Sequence, residues 1–170
     1  GDGYSLKTTG VVFEVSANVT DRQVVYEQGG GGNGMNIWIE TDVLHFGAWS
    51  NTNSWNYIEV TTPILANELV YANFELDVLA GEIRVNGYKS TGGAFTGNTS
   101  GVTALLASHG GEIGIGAVRN DTRFPSGTVS GEGEYFDGKI LEIYQFNEAN
   151  TNTFQQKLLA SYYEGKYGVP

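Results

Sequence analysis

The stretch Gln23-Val24-Val25-Tyr26-Glu27-Gln28-Gly29-Gly30-Gly31-Gly32-Asn33-Gly34-Met35-Asn36-Ile37-Trp38-Ile39-Glu40-Thr41-Asp42-Val43-Leu44-His45-Phe46-Gly47-Ala48-Trp49 decides the fold class. Met35 to Glu40 alternates with period two, the pattern of a strand that buries one face. Glycine and asparagine bound it on one side and Thr41-Asp42 on the other, so three strands follow one another through tight turns. The glycine tract has no following lysine and opens no helix, so it is not a phosphate loop. It reads either as a hairpin connection or as a loop whose carbonyls can approach a cation or a sugar.

The same pattern extends in both directions. Val11 to Val15, Tyr57 to Val60, Leu69 to Leu79, Glu82 to Asn86, Glu112 to Val118 and Gly138 to Phe146 read as strands. Ala80-Gly81 turns one strand back on its neighbour, and Ser50 to Asn56 is a polar loop carrying Trp55. Residues 87–111 and 119–135 read mostly as loops. Only the tail is helical: Thr151 caps a helix whose Phe154, Leu158, Leu159 and Tyr162 share a face, ending near Gly165. The expectation is an all-β chain, a two-sheet antiparallel β-sandwich with a short C-terminal helix. With no linker and no fixed repeat, residues 1–170 form one domain.

Composition agrees and removes whole classes of function. The 170 residues include 25 Gly but 3 Pro, and 8 Phe, 10 Tyr and 3 Trp supply a core, so disorder is excluded. No apolar run is long enough for a transmembrane helix, and no charged-then-apolar leader opens the sequence. Nine basic against 19 acidic residues give a net charge of −10, which argues against nucleic acid and against anionic membranes. Acidity suits calcium, although the simpler reading is that it keeps the protein soluble. The absence of Cys removes disulfides, zinc–thiolate sites, iron–sulfur clusters and cysteine nucleophiles together, and leaves the redox compartment unread.

Catalytic patterns are incomplete. Glu75 and Asp77 share one face of a strand, similar to the catalytic strand of laminarinase- and agarase-type glycosidases. The positions that would carry the second glutamate are Leu79 and Ala80, and Glu82 lies past the turn. The acid/base is missing, so the two carboxylates read as a solvated strand face. His45 and His109 lie in no ligand-spaced motif, and His45 reads as a structural histidine. No serine sits in a nucleophile elbow.

Several phrases, in order, carry a resemblance. Arg22 to Gly30, Gly34 to Ile39, Gly47-Ala48-Trp49, Gly111 to Ala117, Thr122-Arg123-Phe124, Phe136 to Ile143 and Lys166-Tyr167-Gly168 together resemble bacterial laminin G-like jelly-roll domains, of the concanavalin A-like lectin/glucanase superfamily. The resemblance implies two antiparallel sheets face to face. It also implies a module of a larger secreted or surface-attached bacterial protein, such as an adhesin, binding glycans or proteins and in many cases holding a structural calcium ion.

Candidate residues follow from what sugars and calcium require. Sugar rings want an aromatic face and hydroxyls want amides or charges. Trp49 and Trp55 flank a loop with Asn51 and Asn53, and Trp55 is expected to be the exposed ring. Trp38 is expected to be buried, and Trp49 continues its strand's alternation. Arg123 and Phe124 join the ligand-binding set. Glu27, Asn120 and Asp121 are the candidate calcium ligands, with an internal Arg123–Glu27 salt bridge as the rival reading. The sequence thus reads as a non-catalytic carbohydrate-binding or adhesion module, monomeric within a larger chain. A structural spacer or protein-interaction domain is the alternative, and an enzyme of the same fold the third reading.

Overall fold

The computed structural model describes residues 3–147 and 161–168. Twelve strands run β1 (Leu6–Glu14), β2 (Gln23–Gly29), β3 (Asn33–Glu40), β4 (Val43–Ser50), β5 (Trp55–Pro63), β6 (Leu69–Asp77), β7 (Glu82–Lys89), β8 (Gly93–Ser100), β9 (Ile113–Ile115), β10 (Asp121–Phe124), β11 (Gly127–Ser130) and β12 (Lys139–Phe146). One five-stranded sheet has the order β12-β1-β6-β7-β8 and the other β5-β4-β3-β2-β9; every pairing in them is antiparallel. The third sheet is the β10–β11 hairpin alone.

Alternation builds the core. Val11 and Phe13 of β1, Val70, Ala72, Phe74 and Leu76 of β6, and Ile83 and Val85 of β7 face Ile37, Ile39, Leu44, Phe46 and Ala48 of the other sheet. Phe46 packs edge-on against Phe74 at 5.7 Å and lies 6.3 Å from Phe95. Each such side chain removed from water contributes roughly 1.5–3 kcal/mol.

Four expectations are revised. Two segments read as loops hold strands: β8 and the β10–β11 hairpin. β8 escapes a hydrophobicity reading because its inward positions are Gly93, Phe95, Gly97 and Thr99, with one large apolar side chain among them. Gly97 is required there, since a Cβ would meet Val60 at 2.6 Å. Of Glu112 to Val118 only Ile113–Ile115 joins the sheet, Val118 forming an isolated bridge with Gly133, and β6 ends at Asp77 with Leu79 exposed.

The helix α1 is described over residues 161–167. It ends at Gly168 rather than Gly165: Gly168 has φ +68° and its N–H donates to Glu164 O at 2.9 Å. Among its described residues Tyr163, not Tyr162, is buried, packed on Tyr71 with ring centroids 4.4 Å apart and planes tilted by 36°. Thr151, Phe154, Leu158 and Leu159 lie outside the described residues.

Trp55 is the largest correction. A short 3₁₀ turn at Asn51–Asn53 and Ser54 at φ 64° shorten the expected loop. Trp55 therefore opens β5 opposite Ser50, and its indole enters the core at 3% exposure. Its Nε1 has no hydrogen-bond partner, so its contribution is packing. Trp55→Ala is expected to lower the free energy of unfolding by about 3–5 kcal/mol, with Trp55→Phe recovering much of it. Urea denaturation followed by circular dichroism checks this, and an unchanged midpoint in Trp55→Ala would place the ring outside the core.

Candidate functional site

The face of the β12-β1-β6-β7-β8 sheet turned away from the core carries the chemistry. Register sets its side chains in rows across the strands. One row reads Phe146, Thr8, Glu75, Arg84, Asn98, and the next reads Tyr144, Gly10, Asn73, Asn86, Thr96. A third, Glu142, Val12, Tyr71, Tyr88, Ala94, is roofed at Val12 and Tyr71 by Tyr163 of α1. Beyond that roof the face opens into a groove of about 530 Å³ lined by Glu75, Arg84, Asn86, Thr96 and Asn98 among others. Strands about 4.8 Å apart make a five-residue row about 19 Å long.

Glycine lets the aromatic end lie flat. Gly10 has no side chain because the Tyr144 ring occupies that space. The Tyr144 hydroxyl donates to Asn73 Oδ1, and Asn73 Nδ2 donates to Asn86 Oδ1 at 3.2 Å. Tyr144 lies 5.4 Å from the exposed ring of Phe146. Two aromatic rings at one edge thus adjoin a floor of amides, a hydroxyl and charged groups.

Arg84 organises the charges. Its Nη2 lies 3.4 Å from Glu75 Oε2 and 2.8 Å from Asp77 Oδ2, and its Nη1 lies 3.2 Å from Glu82 Oε1. Asp77 Oδ1 accepts from the Ala80 N–H at 2.9 Å, and Glu82 Oε2 accepts from Asn98 Nδ2 at 2.7 Å. Glu75 Oε1 has no partner although the residue is 1% exposed. Burial pushes the Glu75 carboxyl up, Arg84 pulls it down, and Asp77 adds a further upward push. These carboxylates do not form the solvated strand face expected of them: Glu75 and Asp77 are buried beneath one guanidinium.

The opposite sheet has its outer face partly covered. The β10–β11 hairpin lies over it, with Phe124 edge-on against Trp38 at 4.9 Å and Asn36 Nδ2 donating to Arg123 O at 2.7 Å. Phe124 is therefore a buried plug and not a sugar platform. Trp38 is buried as expected, and His45 is structural: it stacks on Trp38 at 3.7 Å and its Nδ1 lies 3.0 Å from Glu59 Oε2.

The loop candidates separate. Trp49 is fully buried against Tyr57 and donates from Nε1 to Gly30 O at 2.9 Å. With Trp55 in the core, neither tryptophan offers a face to solvent. Asn53 Nδ2 donates to Leu105 O at 2.6 Å, while the exposed Asn51 accepts from Arg123 Nη1 at 2.8 Å. That contact replaces the Arg123–Glu27 salt bridge of the rival reading.

Asp121 comes close enough to Glu27 for its charge to raise the cost of ionising the Glu27 carboxyl. Asp121 Oδ2 accepts from the Gly31 N–H at 2.8 Å, and with Asn120, Asn33, His109 and the glycine loops it lines a rim pocket of about 350 Å³. Glu27 lies behind, 1% exposed, with Oε1 accepting from the Arg119 N–H at 3.2 Å and Oε2 without a partner. Burial, with Asp121 and Glu112 adding to it, pushes its carboxyl up to about 7. Among the described residues no group of three or more His, Asp or Glu side chains is placed to hold a metal ion. An orphaned carboxylate oxygen beside amide and main-chain oxygens nevertheless suits a hard, oxygen-seeking cation.

Comparison with known proteins gives the fold. No family model matches the chain, and no curated protein matches it significantly. Among solved structures, the LG1-3 region of the laminin α2 chain superposes with a TM-score of 0.64 at 11% identity, covering 87% of this chain and 29% of that one. A heptameric SAP-like pentraxin from Limulus polyphemus gives 0.56 at 14% identity over 94% of this chain and 70% of that chain. The Ruminococcus gnavus IT-sialidase CBM40, bound to α2,3 sialyllactose, gives 0.55 at 6% identity over 92% and 83%. The fold is the lectin-like jelly roll. The chain spans under a third of the laminin structure it matches.

The groove was missed in the sequence, although a signal for it exists. Asn73, Glu75 and Asp77 on β6 and Glu82, Arg84 and Asn86 on β7 put two amides, three carboxylates and one guanidinium on one face of two paired strands. At the rim, the raised Glu27 carboxyl means that the folded chain holds this proton more tightly than the unfolded chain. Stability contributed by protonated Glu27 is therefore lost as pH rises from about 4.5 to about 7. In chelator, Glu27→Gln is expected to match the parent near the acid end of that window and to exceed it above, by at most about 3 kcal/mol. Parallel stability–pH curves for the two proteins would remove the assignment.

Proposed function

We propose that this chain is a non-catalytic carbohydrate-binding module that takes a glycan in the groove across the β12-β1-β6-β7-β8 sheet. The observation that carries the reading is one sheet face that holds the groove lined by Glu75, Arg84, Asn86, Thr96 and Asn98 and, two strands away on β12 in the same register rows, the rings of Tyr144 and Phe146. Aromatic rings take the apolar face of a sugar, and fixed amides and charges take its hydroxyls. The likeness in fold to a laminin region and to a sialyllactose-bound module is consistent with binding, by analogy. No helix among the described residues is long and apolar enough to cross a membrane, which suits a secreted or surface-attached module of a larger bacterial protein.

Catalysis is disfavoured on chemical grounds. Glycoside hydrolysis needs one carboxyl free to give a proton and another to attack or to activate water. Here Glu75, Asp77 and Glu82 all share Arg84. The spacer reading draws support from the buried Trp55, which withdraws the loop site, while the open groove favours binding.

A structural calcium ion is the second part of the proposal. Glu27, with its orphaned Oε2, and Asn120 and Asp121 at the rim would hold it together with glycine-loop carbonyls. The ion would offset the cost of burying Glu27 and pin the β2–β3 connection to the β10–β11 hairpin. The melting temperature is expected to be several degrees higher in millimolar calcium than in chelator, and lower calcium sensitivity is expected in Asp121→Asn. Equal melting temperatures in both buffers would dismiss the ion.

Glycan-array screening with calcium and with chelator tests the binding itself. Asn86→Ala and Asn98→Ala are each expected to weaken a hit about fivefold, near 1 kcal/mol for a lost hydrogen bond, with folding intact. Asn51→Ala and Arg123→Ala are expected to leave it unchanged. The reverse pattern would move the site to the loops, and a blank array would favour the spacer.

A further inference from the structure

We infer that the groove selects a basic amino-sugar glycan, with a protonated amine of the ligand seated on Glu75. The inference rests on the carbohydrate-binding reading of the same groove and adds the chemical class of its ligand. Three carboxylates, Glu75, Asp77 and Glu82, meet a single guanidinium, so the cluster carries an excess of negative charge. Of their oxygens, both on Asp77 and both on Glu82 have donors, as does Glu75 Oε2. Glu75 Oε1 has none, on a residue that is 1% exposed and lines the groove. A buried carboxylate oxygen without a donor is costly, and the fold retains this one where a ligand lies.

The missing partner is a donor, and the local charge favours a cationic one. An ammonium group satisfies Glu75 Oε1 and reduces the excess negative charge together, which a hydroxyl cannot do. A calcium ion suits the position poorly, because it wants six to eight oxygens and would sit beside the Arg84 guanidinium. An anionic sugar would find both terminal nitrogens of Arg84 already engaged and three carboxylates around them. Of the other groove residues, Asn86, Thr96 and Asn98 offer amides and a hydroxyl suited to sugar hydroxyls, with Val85 and Gly97 beside them.

The test is calorimetric titration of the intact protein at about pH 6, where an aliphatic amine is protonated. The probes are a β-1,4-glucosamine tetramer, its N-acetylated counterpart, a galacturonic acid tetramer and tetralysine. The glucosamine tetramer is expected to bind about tenfold more tightly than the N-acetylated one, the galacturonate not at all, and tetralysine only weakly. Added salt is expected to narrow the preference, and Glu75→Gln to abolish it. The comparison of acetylated with free amine uses the parent protein alone, so it stands even where the variant fails to fold.

Equal affinity for the two glucosamine tetramers, or tighter binding of the galacturonate, overturns the inference while leaving the glycan reading intact. Binding of no sugar by any probe overturns both. Tetralysine binding as tightly as the glucosamine tetramer overturns the glycan assignment in favour of a basic peptide.

Discussion

Strand β6 lies at the centre of its sheet, paired to β1 on one side and β7 on the other. Val70, Ala72, Phe74 and Leu76 go into the core, and period two leaves Tyr71, Asn73, Glu75 and Asp77 on the opposite face with no choice of direction. A slip of one residue would drive Glu75 and Asp77 into Phe46 and expose Phe74, so the register is fixed by hydrophobic burial. That same register places Arg84 beside Glu75 and Asn86 beside Asn73. The geometry of the groove is thus a by-product of the core, which positions its polar groups on paired strands with little freedom left to lose on binding.

The two sheets treat their outer faces differently. The outer face of the β5-β4-β3-β2-β9 sheet carries Trp38, His45, Asn36 and Tyr57, a set that could have formed a ligand platform. Instead the β10–β11 hairpin covers part of it, Phe124 fills the space over Trp38, and Arg22 closes over Phe124 at 4.4 Å. On the other sheet the described part of α1 roofs the Val12–Tyr71 end, and Lys166 pairs with Glu142 there. Binding chemistry follows from which face is left open rather than from which face carries more aromatic residues.

This explains what was legible in the sequence. Met35 to Glu40 and Val43 to Trp49 could be assigned because their apolar positions are large and evenly spaced. β8 could not, because Gly93, Gly97 and Thr99 share its inward positions with Phe95, and at Gly97 the neighbouring sheet comes close enough, through Val60, to leave no room for a Cβ. With β8 read as a loop, Asn98 and Thr96 could not be placed beside Arg84 and Asn86, and the groove was lost with them. Trp55 misled for a related reason: sequence polarity marked residues 50–56 as loop, but a left-handed Ser54 turns the chain early enough for Trp55 to open a strand. The calcium-site candidates were named from two separate segments, and the fold brings them near one another through β9, where Gly114 sits against Glu27 with no room for a Cβ.

Buried polar atoms without partners connect the two candidate sites. Among the described residues these include Trp55 Nε1 and His109 Nδ1, and also one carboxylate oxygen each on Glu27 and Glu75. An indole N–H in an apolar core is a cost that good packing can outweigh. A carboxylate oxygen is different, because its charge cannot be diluted by packing and burial raises both carboxyl groups. In an acidic chain of net charge −10, either position could have carried an amide at lower cost. Each instead keeps one acceptor unfilled: Glu75 where it lines the open groove, and Glu27 on a strand near Asp121, which lines the glycine-loop pocket. The two unfilled acceptors call for different partners. Glu27 stands near Asp121 and Glu112, and the metal cation proposed for it would offset that crowding of carboxylates. Glu75 already shares Arg84 with two other carboxylates, which leaves room for one directional donor.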